Sequence, residues 1–131
     1  MKAPLPLQEC ADLLFFADGP GQQLYVLRRL SLKHNQTLAT YSYSEPIAEL
    51  AVDCSPADPL LYVLLANSQL FEERVAQLAE NAEYKVQTAQ THHPKLGAHI
   101  LHIAATPYTL SVAQEPPAAA QQLPVPLPFY V

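Results

Sequence analysis

Apolar and polar positions along the chain fall in short blocks separated by turn residues, the pattern of many short strands. Residues 11–19 (ADLLFFADG) are an apolar run closed by Asp18-Gly19-Pro20-Gly21, a strand and its turn. Residues 22–32 set Leu24 and Val26, then Leu30 and Leu32, on one face of a second strand. Residues 36–44 (QTLATYSYS) place Thr and Tyr around Leu38, side chains suited to a pleated surface. Residues 46–54 turn Ile47, Leu50 and Val52 inward as a fourth strand. Residues 59–67 (PLLYVLLAN) are apolar almost throughout, which predicts a strand buried on both faces.

The period then changes. Across residues 68–82, Phe71, Val75, Leu78 and Ala82 share one helical face, with Ser68 placed as N-cap and Glu72 and Glu73 in the early turns. Glu72, Glu73 and Glu80 then form a solvated face of that helix. Residues 83–90, 98–105 and 108–114 read as further strands. The expected fold class is α+β, mostly antiparallel β with one main helix at about 68–82. Strand 60–66, helix 68–82 and strand 84–90 make a βαβ unit, with the hairpin over 22–44 on the edge.

Composition sharpens the boundaries. Of 13 prolines, many sit at the two ends, so the ends read as extended or irregular and the middle as folded. We expect one compact domain over 1–113 and a Pro-rich C-terminal tail, or a final strand, over 114–131. The net charge of −5 gives no electrostatic ground for direct nucleic-acid binding. Cys10 and Cys54 are too few for a disulfide framework, so a reducing compartment, cytoplasmic or nuclear, is expected. No signal-peptide pattern opens the chain, and no apolar run approaches the ~18–20 residues that span a bilayer, so no membrane association is expected.

The chain also echoes itself. Leu13-Leu14 matches Leu60-Leu61, Gln23-Leu24-Tyr25 matches Gln69-Leu70-Phe71, and Arg28 matches Arg74. The spacing is near the roughly 40–50 residues of one β-propeller blade. Ser55-Pro56-x-Asp58 resembles the Ser-Pro-Asp-Gly turn between the first two strands of WD-type blades. "GAHILHIAATP" (97–107), with Gly97, His99 and a closing Thr106-Pro107, has the rhythm of the segment leading into an innermost blade strand. Over residues 11–75 the chain thus resembles WD-repeat proteins, and faintly the non-catalytic WD-repeat subunit of tRNA guanine-N7 methyltransferase. The resemblance implies a propeller fragment acting as accessory subunit of a tRNA-modifying enzyme. It departs from the family in having no Trp-Asp pair, Pro59 where glycine follows the aspartate, and a helical pattern at the third-strand position. A closed propeller takes ~4–8 blades, and 131 residues supply fewer than three.

Candidate chemistry is sparse. His92, His93, His99 and His102 cluster in sequence, and a small metalloprotein is one reading of them. His92 and His93 precede Pro94 in an extended turn, whereas His99 and His102, three apart on a strand, point to opposite faces; no metal site is expected. Cys54 beside His34 or His99 is a conceivable nucleophile, but the spacing does not require it. No P-loop, dinucleotide fingerprint or nucleophile elbow is present, so we expect no catalytic residues and no cofactor. The tail offers a different chemistry. "QLPVPL" (122–127) with Phe129 resembles the peptide by which bacterial replication proteins dock a sliding clamp, through Gln122, Leu123, Val125, Leu127 and Phe129. The same alternation also fits a last strand over the core. The functional expectation is a non-catalytic interaction or scaffold subunit whose partner is another protein within a complex.

Overall fold

The computed structural model describes residues 6–18, 21–92, 99–107 and 109–114. It is built mostly of antiparallel strands: β1 (Leu7–Cys10), β2 (Leu13–Ala17), β3 (Gln23–Ser31), β4 (His34–Ser42), β5 (Ile47–Asp53), β6 (Leu60–Leu65), β7 (Leu70–Arg74), β8 (Gln90–His92), β9 (Ile100–Thr106) and β10 (Thr109–Gln114). One short helix, α1 (Val75–Glu80), follows β7. Strands pair in chain order into three open sheets: β1-β2-β3-β4, then β5-β6-β7-β8, then the hairpin β9-β10.

The sheets stack through their side chains. In the first sheet Phe15, Ala17, Leu24 and Val26 are fully buried, and they meet Leu61, Val63, Leu65 and Phe71 of the second. The other face of the second sheet, Tyr62, Leu64 and Leu70, packs on Ile100 and Ile103 of the third, with Leu110 and Val112 at the margin. β6 is therefore covered on both sides, as its unbroken apolar run requires. Burying one such side chain contributes about 1.5–3 kcal/mol, so this double layer dominates the stability.

The helix is shorter than the pattern predicts, and the βαβ unit does not form. β6 and β7 are an antiparallel hairpin, with Leu64 opposite Leu70 and Leu60 opposite Arg74. Residues 70–74 satisfy a period of two as well as a helical one: Leu70 faces the third sheet, while Phe71 and Glu73 face the first. Sheet pairing decides between the two periods, because tertiary partners override weak local preference. Phe71, Val75 and Leu78 do share one core cluster, so the apolar stripe identified the inward residues but not their backbone. Ser68 is not an N-cap; it takes a positive φ of 70° in the β6–β7 turn, and α1 has no side-chain N-cap bond. The Tyr41 hydroxyl serves the other end of α1, 2.8 Å from the carbonyls of both Leu78 and Asn81.

Residues 83–89 are not strand; only Gln90–His92 pairs with β7. β1 lies in the proline-bearing end that reads as irregular, pairing Leu7 with Phe16 and Cys10 with Leu13. Cys10 and Cys54 form a disulfide, with Cα atoms 5.5 Å apart, where composition suggests unpaired thiols. The fold brings them together because β1 and β5 run side by side. Among the described residues, no helix is long and apolar enough to cross a membrane.

Candidate functional site

The first strands of the three sheets, β1, β5 and β9, lie next to one another and border a cleft of about 590 Å³. They are not joined by a continuous ladder; side chains bridge them instead. Gln8 of β1 accepts from the Val52 backbone N–H through Oε1 at 3.1 Å. Glu49 of β5 accepts from the Ile103 N–H through Oε1 at 2.6 Å, and its Oε2 lies 2.8 Å from His102 Nδ1. Both side chains satisfy backbone donors of a neighbouring first strand, which gives these polar residues a structural role at the strand edges.

The strand starts are seated in matching ways. The Ile47 N–H donates to the Gly21 carbonyl at 2.9 Å, in the β2–β3 turn. The Ile100 N–H donates to Ser68 Oγ at 2.9 Å, in the β6–β7 turn. Gly21 is required there: a Cβ would collide with the carbonyl of Asp18.

A second polar cluster lies between the first two sheets. Glu73 is fully buried, on β7 and not on a solvated helix face. Its Oε2 accepts from the Tyr43 hydroxyl at 2.6 Å and the Gln87 N–H at 2.9 Å, and its Oε1 from the Tyr84 hydroxyl at 3.2 Å. Burial raises the Glu73 pKa, while these three donors pull it back down. Burial, and then the charge of Glu73, pushes the Tyr43 hydroxyl far up, so it remains a donor. Gln87 adopts a positive φ of 66°, and its side chain bonds Ser44 beyond β4. The cluster joins the end of the first sheet to the third strand of the second. A buried acid among donors already engaged is a structural tie.

The histidines do not converge. His102 is on β9 beside Glu49, and His99 is exposed just before that strand and not on it. His92 is the last residue of β8, and His93 lies outside the described residues. Among the described residues, no group of three His, Cys, Asp or Glu side chains could hold a metal ion. Cys54 is spent in its disulfide, and His34 bonds Ser31 Oγ at 3.0 Å. Arg28 and Arg29 are engaged by Asp12 at 3.2 Å and Glu9 at 3.0 Å. Gln122, Leu123, Val125, Leu127 and Phe129 lie outside the described residues.

The polar members of the cleft, Gln8, Glu49 and His102, come from three strands far apart in the chain, so no local sequence pattern marks it. Two acids, Glu49 and Asp53, interrupt the apolar run of residues 46–54, and Glu49 is the one that lines the cleft. No protein family, curated protein or solved structure matches the chain.

Proposed function

We propose that the chain is a wedge of a blade-type β-propeller that serves as a non-catalytic scaffold for another protein. The observation that carries this reading is the stacking of three consecutive antiparallel sheets whose first strands, β1, β5 and β9, line one cleft. Up-and-down sheets arranged around a common centre are the construction of propellers. The first two sheets also correspond row by row. Leu7, Phe16 and Tyr25 lie abreast across the first, as Leu50, Val63 and Phe71 do across the second. Cys10, Leu13 and Arg28 match Asp53, Leu60 and Arg74 in the same way. The third-strand position, where a helical pattern stood against the resemblance, is occupied by β7. The polar groups of the cleft support a structural role, since Glu49 and Gln8 are committed to backbone donors of adjacent strands.

Within this reading the contact segment is the tail, through Gln122, Leu123, Val125, Leu127 and Phe129. Its short apolar spacing suits a groove on a partner protein. The experiment compares the full chain with one ending at Gln114, purified from the cells that make the protein. The expected result is a protein partner retained in stoichiometric amount by the full chain and lost on truncation, with the melting temperature unchanged. Equal retention by the truncated chain removes the tail from the account, and turnover of a substrate by the pure protein contradicts the scaffold reading.

A further inference from the structure

The stack ends on two sheet faces that no sheet covers among the described residues. One is the front of the first sheet, where Leu7 is 53% exposed and Leu14, Phe16, Tyr25 and Leu27 are half-buried. The other is the back of the third, where Ala104 and Ser111 stand opposite each other and, with Ala113, are exposed. The row correspondence says what the front face is shaped to receive. Leu50, Val63 and Phe71 hold in the second sheet the places of Leu7, Phe16 and Tyr25 in the first, and they are 5%, 0% and 4% exposed under the sheet in front of them. The first sheet carries the same row of large apolar side chains, with Phe16 and Tyr25 stacked at 4.9 Å, and lacks its cover. The third sheet continues the series. Ile103 follows the seated Ile100 as Leu50 follows Ile47, and both are buried against the preceding sheet.

We infer that the front of the first sheet is covered by the back of the third sheet of a second copy of this chain, so that two copies close one six-sheet ring. The inference rests on the wedge reading and deepens it. Among the described residues one copy brings three sheets, so two copies bring six, within the ~4–8 that rings of this type hold. A two-fold axis makes both junctions identical and leaves no open end, the ordinary condition for a finite assembly. The faces complement each other in size, since Ala104, Ser111 and Ala113 leave room for Phe16 and Tyr25. The ion pair Arg29–Glu9 beside the front face neutralises itself, so a neighbour meets no block of like charge there.

Sedimentation equilibrium of the full chain at micromolar concentration tests this, with three variants or mixtures beside the wild type. The expected mass is twice the 14.4 kDa of one chain. Phe16→Glu and Ser111→Arg each lie on an end face and outside the internal core, so each alone gives a folded protein whose dimer dissociation constant rises at least about 100-fold. Mixing the two variants restores dimers, because one junction is then wild type on both sides and the other sets Glu against Arg. That rescue is particular to front-to-back closure. A monomeric wild type overturns the inference, as does a dimer that Ser111→Arg leaves intact, which would mean two front faces meeting. Counting free thiols in the same air-oxidised samples separates the two levels. A monomer that retains the Cys10–Cys54 bond loses only the ring, whereas a folded protein with two free thiols contradicts the seating of β1 beside β5 and with it the wedge.

Discussion

Cys54→Ser lowers the unfolding free energy of the oxidised protein by about 4 kcal/mol, the loop-entropy value for cysteines 44 residues apart. The bond joins the end of β1 to the residue after β5, so it staples the first sheet to the second where their first strands meet. Without it the unfolded chain regains the freedom of that whole loop, while the native side loses only one link at a rim that Leu13 and Leu50 already hold. Cys54 is the better position to change because it is exposed, whereas Cys10 is 7% exposed in the apolar core and serine there would add an unpaired hydroxyl. Urea denaturation with and without dithiothreitol reads the effect. Reduced wild type should match reduced Cys54→Ser, and reductant should leave the variant unchanged. Equal stability of oxidised and reduced wild type would show that the cross-link contributes nothing.

The second large effect is at Glu73. Glu73→Ala removes the acceptor of the Tyr43 and Tyr84 hydroxyls and of the Gln87 N–H in the core between the first two sheets. Each buried donor left without a partner costs about 1–3 kcal/mol, and relief of the carboxylate's own burial returns part of this. The expected net loss is about 3–5 kcal/mol, read by the same denaturation curves. Glu73→Gln keeps an acceptor oxygen and should be milder. It should also change the pH dependence. Burial holds the folded-state pKa of Glu73 above that of the unfolded chain. Below the unfolded value both states are protonated and the stabilisation is complete. As pH rises past it, the unfolded chain releases a proton that the folded protein keeps, so stability falls until the raised folded value is passed and is flat above it. Glu73→Gln removes this decline. A variant whose stability falls with pH over that window as steeply as wild type would show that Glu73 is not the group responsible.

How far the sequence was readable depended on whether one period fitted a segment alone. β2, β5 and β6 were legible because each is a short apolar block with turn residues at its end, and β6 announced its double burial by having no polar side. In β3 only Leu24 and Val26 face the core, since a register shift follows Val26 and Leu30 and Leu32 are 62% and 99% exposed by the β3–β4 turn. Residues 68–82 were not, because Phe71, Val75 and Leu78 fit a helical stripe while Leu70, Phe71 and Glu73 fit a strand with two faces. Only the pairing of β7 with β6 separates these, and that pairing is not local information. Glu73 was misplaced for the same reason: acids are almost never fully buried, and its three donors come from residues 43, 84 and 87. β1 was obscured by Pro4 and Pro6 and by polar Gln8 and Glu9, although Gln8 is there for Val52. The disulfide was hidden because a separation of 44 residues says nothing about proximity until the strands are stacked. The internal echo was the most informative signal, since it paired the positions that structure places in equivalent rows.

The stacked arrangement requires β9 to stand at the head of a new sheet beside β5, and not to continue the second sheet past β8. Methyl and amide NOE spectra of the isotopically labelled protein test this directly. The account predicts contacts from the Ile103 methyls to Leu64 and Ala51, with the Ile103 amide near the Glu49 side chain. Cross-strand Hα–Hα contacts between Gln90–His92 and Ile100–Thr106 would instead place β9 as a fifth strand of the second sheet and contradict it.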